Sequence, residues 1–152
     1  MLFRGVSSVN LDAKGRMALP VRFRELLSDA CSGHIVITID MEEPCLLLYP
    51  LPFWEEIQAQ LEALPNVNPA ARRIQRLLIG HATDVELDGS GRVLVPPMLR
   101  DYASLSKKLV LLGQGRKLEI WSEEIWTQRR DSWLEDGVSM ADASAELQSI
   151  SL

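Results

Sequence analysis

Two arginines, Arg16 and Arg92, occupy the same place in a twelve-residue pattern that the chain carries twice. The pattern reads V-x-L-D-x-x-G-R-x-x-x-P, and it begins at Val9 and again at Val85, a constant offset of 76 residues. A guanidinium can donate two parallel hydrogen bonds to O6 and N7 of guanine in the major groove, worth about 1–3 kcal/mol of discrimination. Arginines of this kind, held on a rigid turn, could read guanine-rich DNA.

The other fixed positions of the pattern predict a tight turn before each arginine. Asp12 and Asp88 suit the start of the turn because a carboxylate accepts backbone N–H bonds, and Gly15 and Gly91 can adopt a positive φ. An alternative is that each arginine pairs with the aspartate four residues before it and only closes the turn. The duplication and the basic flanks favour a DNA contact, and they do so more for the first copy than for the second.

The remaining cations near the first copy suit a different role. Lys14, Arg4 and Arg22 are assigned to phosphates, where they set the register on DNA without reading its sequence. Since Lys14 becomes Ser90 in the second copy, we expect the first copy to make the stronger DNA contact. A predicted helix carries three more arginines, which either line a DNA path or form a solvated face or subunit contact: Arg72, Arg73 and Arg76.

Charge is strongly segregated along the 152 residues, although the net charge is −5. Residues 1–24 carry +4, residues 25–69 carry −8, residues 70–100 carry +2 and residues 101–152 carry −3. Both copies of the pattern therefore lie in basic segments. Because the local field governs binding to a polyanion, the acidic total does not exclude DNA.

The elements that must position these residues also come in two sets. Each copy predicts strand, turn, strand, a helix after the proline, and a second hairpin, with a four-residue loss in the second copy. Further helices are predicted over 52–64, from an Asn68 cap to Gly80, and from a Ser122 cap to Trp133; the tail from Asp136 is expected to be mobile or weakly helical. The predicted boundaries are 5–52 and 81–124 for the two modules, 53–80 for connecting helices and 125–152 for a C-terminal helix and tail.

Neither module has the roughly 70 to 80 residues that usually support an independent core, so we expect the two to fold against each other. The product would be a pseudo-twofold unit with two equivalent turns. The four tryptophans are expected to pack in the core or at a subunit interface.

Other classes of protein find little support in the sequence. No apolar run is long enough to span a bilayer and no signal peptide is evident, so a cytoplasmic location is expected. Cys31 and Cys45 match no metal or redox spacing and are predicted to be free thiols. Nothing places them beside His34 or His81 as nucleophile and base, so we expect no catalysis, no cofactor, no metal and no small-molecule substrate.

The pattern resembles the swapped-hairpin AbrB superfamily, and along nearly the whole chain it is similar to the MraZ family of transcriptional regulators. The matching segments are Phe3–Gly5, Asn10–Arg16, Pro20–Arg24, Leu46–Pro50, Arg72–Arg76, Gly80–His81 and Asp88–Arg92. The resemblance implies an α+β fold, mainly β with helices, in which tandem AbrB-like modules interlace into one β-barrel-like unit. It also implies that the protein forms ring-like homo-oligomers and that its partner is double-stranded promoter DNA with G-rich direct repeats. The protein would then repress the division and cell-wall gene cluster, including its own operon, and associate with the nucleoid.

One alternative uses the same architecture without DNA. A ring-forming scaffold could bind proteins through the acidic stretch, residues 25–69. Heterologous interfaces close into rings readily, so the architecture alone does not separate a scaffold from a regulator.

Overall fold

The computed structural model describes residues 2–137 and 145–151. This part contains eight strands: β1 (Phe3–Asn10), β2 (Arg16–Ala18), β3 (His34–Ile39), β4 (Leu46–Pro50), β5 (Thr83–Glu86), β6 (Arg92–Leu94), β7 (Lys108–Gly115) and β8 (Leu118–Ser122). It also contains six helices: α1 (Val21–Cys31), α2 (Leu51–Glu62), α3 (Pro69–His81), α4 (Pro97–Tyr102), α5 (Glu123–Asp136) and α6 (Ala145–Gln148). The fold is α+β, but its helices hold more residues than its strands, so the expectation of a mainly β chain overstated the strands.

Six strands form one antiparallel sheet in the order β1-β7-β8-β4-β3-β5. The first strand of each half pairs with the other half, β1 with β7 and β5 with β3, while β4 and β8 join the halves at the centre. The sheet is open, with β1 and β5 at its edges, so the described residues form no closed barrel.

The remaining two strands, β2 and β6, form a short antiparallel ribbon of their own. The prediction of a simple hairpin around each turn was therefore incomplete. Between β1 and β2 the structure keeps a single bridge, Leu11 with Met17, and the ladder of β2 is made with β6 of the other half. Alternation of apolar residues fixes which face of a strand is buried, but it does not choose the partner strand.

The ribbon and the sheet enclose the main core. Met17 and Val93 face inward from β2 and β6 and are fully buried against Ile35, Ile37 and Ile39 of β3. Val36, between those isoleucines, points to the other side, where it packs with residues of α2 and α3. The ribbon and the helix pair thus cover opposite faces of the sheet.

Helix ends follow the predictions in part. The Asn68 side chain accepts a 2.9 Å hydrogen bond from the N–H of Ala70, which caps α3 as expected. Gly80 does not end this helix, which continues to His81, because a glycine costs a helix only about 1 kcal/mol and packing of Leu78 and Ile79 on the sheet offsets it. Ser122 precedes α5 without a side-chain cap bond.

Toward the C-terminus, α5 runs three residues beyond the predicted end at Trp133. The tail was predicted from Asp136, which is instead the last residue of α5. Residues 138–144 and Leu152 of this tail lie outside the described part, and Ala145–Gln148 form α6. Trp54, Trp121 and Trp126 are buried as expected, whereas Trp133 stays 45% exposed at the edge of an aromatic cluster with Trp121 and Trp126. Among the described helices, none has the length and apolar character needed to cross a membrane.

Candidate nucleic-acid interface

Each turn of the repeated pattern is built around one aspartate carboxylate. Oδ1 of Asp12 accepts hydrogen bonds of 2.9 Å from the backbone N–H groups of Lys14 and Arg16. Oδ1 of Asp88 accepts the equivalent two bonds, also 2.9 Å long. The two backbones therefore share one geometry, and the change from Lys14 to Ser90 alters a side chain without altering the turn.

The same carboxylates hold the two arginines. Nε of Arg16 donates to Oδ2 of Asp12 at 3.0 Å, and Nε of Arg92 donates to Oδ2 of Asp88 at 2.9 Å. The pairing set out above as an alternative to DNA contact is thus present in both turns. It occupies one of the five N–H donors of each guanidinium, and no other described residue accepts from the terminal nitrogens, so the pair orients the guanidinium and leaves its outer fork open.

Electrostatics favour the ionised form of both aspartates. The backbone N–H of Arg16 is the largest of the contacts that hold the pKa of Asp12 below its ordinary value of 3.8. The backbone N–H of Arg92 does the same for the pKa of Asp88. Both carboxylates are negative at neutral pH, so each can hold the guanidinium of its arginine by an ion pair.

The ribbon brings the two arginines onto one face. Arg16 lies opposite Leu94, and Arg92 lies opposite Ala18, so these four residues share the outer side of the ribbon while Met17 and Val93 share the inner side. Diagonal neighbours in an antiparallel pair are about 7–8 Å apart, which sets the spacing of the arginine backbones. A two-stranded ribbon is narrow enough to enter the major groove of B-DNA.

Each turn is also contacted by an arginine from the other half of the chain. A methyl group placed on Gly15 would lie 2.8 Å from Cζ of Arg100, and one placed on Gly91 would clash with Cδ of Arg24. Both glycines have φ values in the left-handed region, +84° and +73°. Arg24 and Arg100 follow the proline of each copy by four residues and share the 76-residue offset of the pattern, but they were not among the predicted site residues.

The other predicted phosphate contacts lie apart from the turns. Nη2 of Arg22 donates to Oγ of Ser7 at 3.0 Å, and its guanidinium also lies over Gly5, next to Arg4 on β1. At about 3.3 Å per residue, Arg4 is roughly 20 Å along the strand from Asn10, where the first turn follows. Arg4 and Arg22 form a second basic group at this stretch of β1, but on opposite faces of the strand, because Gly5 and Ser7 face one side and Arg4 faces the other.

The arginines of α3 form a third group. Arg72, Arg73 and Arg76 are exposed, and no ion pair links them to another described residue. Their helix packs Leu78 and Ile79 on the face of the sheet opposite the ribbon. They are not brought together with either turn.

Cys45 and the side chains around it are engaged in local contacts. The Cys45 thiol is fully buried and donates to Oδ2 of Asp40 at 3.6 Å, while Glu119 accepts a 2.9 Å bond from Nε1 of Trp121. Burial, with the nearby carboxylates of Glu119 and Asp40, raises the pKa of the Cys45 thiol, which opposes a role as a nucleophile. Ligating atoms of Asp40, Cys45 and Glu119 lie within 4.8 Å of one another, and the absence of a metal stays a prediction.

Acid titration should show whether the pKa of each turn aspartate is lowered mainly by backbone N–H groups or by the arginine side chain. We expect Asp12 and Asp88 to titrate below 3.8 in the folded protein, as measured by carboxyl NMR. Because the folded pKa lies below the unfolded one, ionisation stabilises the turns above the unfolded value, and this contribution is lost as pH falls through the folded pKa. Arg16→Ala should keep most of the Asp12 shift, because the backbone N–H remains. A midpoint at or above 3.8 for either aspartate in the unmodified protein contradicts this account.

The glycine contacts predict a sharp difference within the second turn. Gly91→Ala should lower the free energy of unfolding by more than about 1 kcal/mol, since the methyl group meets Arg24 and φ is positive. Gly89→Ala is the matched control, because a methyl group at Gly89 meets no atom within 4 Å and the first copy already has Ala13 there. Denaturant unfolding measures both, and equal losses in the two variants would be incompatible with the close approach of Arg24.

Comparison with known proteins places this geometry in a family. The family model described as "MraZ protein, putative antitoxin-like" matches residues 2–77 and again residues 78–148. Three similar relatives are each named "Transcriptional regulator MraZ". The relative from Halorhodospira halophila is 53% identical over 152 residues, covering 99% of this chain and 100% of the relative. The relative from Alkalilimnicola ehrlichii is 59% identical over 135 residues, covering 89% and 90%. The relative from Coxiella burnetii strain Dugway is 51% identical over 152 residues, covering 99% and 100%.

Two family matches side by side agree with the two copies of the turn that the ribbon joins. The chain belongs to the MraZ family.

Proposed function

We propose that the protein is a sequence-specific DNA-binding transcriptional regulator, and that the outer face of the β2–β6 ribbon reads the bases. The observation that carries this proposal is the presence of two aspartate-oriented arginines on one exposed face. The relatives' name, which describes transcriptional regulators, supports it. Arg16 and Arg92 contact guanine in the major groove, and their aspartates and turn glycines set the direction of approach.

The proposed phosphate contacts lie at the first turn and along β1. Lys14 extends from the tip of the first turn, where no described residue accepts a hydrogen bond from its side chain. Arg4 and Arg22 form the second basic group along β1, and Arg22 keeps donors beyond the one that binds Ser7. These three cations add affinity and register, while discrimination between bases comes from the ribbon.

The two reading positions differ, which favours the first copy. Arg16 has Lys14 in its turn and the half-exposed Leu94 opposite it on β6, whereas Arg92 has Ser90 and the small Ala18. A leucine methyl can pack on a thymine methyl beside the guanine, and the lysine adds a phosphate contact. We infer that the first module, 5–52, binds DNA more strongly than the second, 81–124.

The target and the assembly rest on the family resemblance. We propose G-rich direct repeats in the promoter of the division and cell-wall gene cluster as the operator, with repression of the protein's own operon. The two halves are taken to be related by a pseudo-twofold axis, and protomers to associate into a ring in the cytoplasm, on the nucleoid. Several motifs in one ring would gain affinity on repeated sites through effective concentration.

Arg16→Ala tests the reading role directly. Binding to labelled promoter DNA should weaken about 5- to 150-fold, the equivalent of about 1–3 kcal/mol, because one guanine contact is lost. Arg130→Ala is the control, since Arg130 pairs with its neighbour Asp131 on α5 and lies outside the ribbon. Fluorescence anisotropy at several salt concentrations should also show a steep decrease in affinity for the unmodified protein as phosphate counterions are released.

Two outcomes contradict the proposal. If the unmodified protein does not bind promoter DNA even at low salt, the scaffold function through residues 25–69 takes its place. If Arg16→Ala loses its oligomeric state by light scattering while Arg130→Ala keeps it, the turn is structural and the loss of binding does not report base reading.

A further inference from the structure

We infer that Arg24 and Arg100 are positioning residues that clamp each DNA-facing turn from the opposite half of the chain. Arg24, from the first half, holds the second turn, and Arg100, from the second half, holds the first. The consequence for DNA binding rests on the proposed function, whereas the clamp itself is a property of the fold.

The register of the ribbon creates this crossed arrangement. In an antiparallel pair the end of one strand lies beside the beginning of the other, so the end of β2 adjoins the second turn. The N–H of Leu19 donates to the carbonyl of Gly91 at 3.1 Å, and the N–H of Val95 donates to the carbonyl of Gly15 at 2.9 Å. The two halves meet in the same way at both turns.

A helix then starts immediately after each of these contacts. The N–H of Arg24 donates to the carbonyl of Pro20 at 3.1 Å, and the N–H of Arg100 donates to the carbonyl of Pro96 at 3.0 Å. Each arginine therefore sits one helical turn beyond its proline. From that position its side chain contacts the turn of the other half.

The side-chain contacts of Arg24 are with backbone of both halves. Its Nε donates to the carbonyl of Leu19 at 2.5 Å, and its Nη1 donates to the carbonyl of Ser90 at 3.4 Å. The stem of the side chain fills the space where a side chain at Gly91 would lie. Since its donors face backbone carbonyls, Arg24 supports the turn and is not directed at a base.

Arg100 makes a weaker clamp on the first turn. Its guanidinium covers Gly15, with Cζ, Nε and Nη1 all within 3.0 Å of a methyl group placed there. Its Nε is buried and has no hydrogen-bond acceptor among the described residues. Arg100 therefore contacts the first turn by packing, without the backbone hydrogen bonds that Arg24 makes at the second turn. Losing Arg100 should loosen the first turn less than losing Arg24 loosens the second.

Amide hydrogen exchange on the free protein tests the clamp without DNA. Arg24→Ala should speed exchange in residues 88–92 about five-fold or more, the effect of losing a hydrogen bond, and leave residues 12–16 unchanged. Arg100→Ala should do the reverse with a smaller increase. Equal changes in both turns, or a change confined to the turn of the same half, would overturn the inference.

A conservative variant covers the case in which an alanine variant does not fold. Arg24→Lys keeps the charge and most of the stem, but a single ammonium cannot reach both carbonyls as the planar guanidinium fork does. Exchange in residues 88–92 should still rise. If it stays at the level of the unmodified protein, positive charge is sufficient and the clamp by the guanidinium is wrong.

Double-mutant cycles with promoter DNA then test the functional consequence. Arg100→Ala should weaken binding in the Arg92→Ala background and have little further effect in the Arg16→Ala background, because it acts through the first turn. Arg24→Ala should show the opposite pattern. Full, additive losses in every background mean that Arg24 and Arg100 contact DNA or act on global stability, and they contradict the positioning role.

The DNA-binding experiment and the hydrogen-exchange experiment test the proposed function and the clamp independently of each other. A protein that does not bind promoter DNA removes the proposed function, and the exchange pattern still decides the clamp. Binding that depends on Arg16, combined with exchange that is the same in both turns of the Arg24 and Arg100 variants, removes the clamp and leaves the proposed function standing.

Discussion

The antiparallel pairing of β2 with β6 is the contact on which the rest of the candidate site depends. Each strand has only three residues, and an isolated two-stranded pair of that size is at best marginally stable in water. Burial of Met17 and Val93 against the sheet stabilises the ribbon, and neither half can supply both. The pairing fixes the outer face with its two arginines and brings each turn beside the helix of the other half. The site in this chain is thus built from both copies of the repeated pattern.

The Asp–Arg pairs make sense as orienting contacts more than as stabilising ones. Exposed ion pairs contribute a median of about 0–1 kcal/mol, so closing a turn would be a small gain for two charged side chains. Here one carboxylate binds two backbone N–H groups and one Nε, which fixes the plane of the guanidinium before any ligand arrives. Pre-organisation of this kind lowers the entropy lost on binding. The acidic total charge is compatible with it, because Lys14, Arg16 and Arg92 lie on the ribbon and its turns.

Much of the local structure could be predicted from the sequence, and much of the tertiary pairing could not. The two turns, the Asn68 cap and the hairpin of β3 and β4 follow from turn chemistry and apolar pattern, which act over a few residues. The exchange of strands between halves depends on which partner buries Met17, and periodicity carries no such information. Only the family resemblance indicated that the two modules interlace. Gly80 was wrongly predicted to end α3, because the packing of Leu78 and Ile79 on the sheet outweighs the low helix propensity of glycine. Arg24 and Arg100 recur at the same offset as the pattern, but only the fold shows that each lies on the turn of the opposite half.

Mapping the backbone amide NMR signals that change when promoter DNA is added tests the central claim most directly, because it reports every part of the surface in one experiment. If the ribbon reads DNA, the largest changes fall in residues 12–18 and 88–94, and they are greater in the first segment than in the second. Smaller changes should appear around Arg4 and Arg22. Changes concentrated in the arginines of α3, or in the acidic stretch of residues 25–69, with the two turns unaffected, would contradict it.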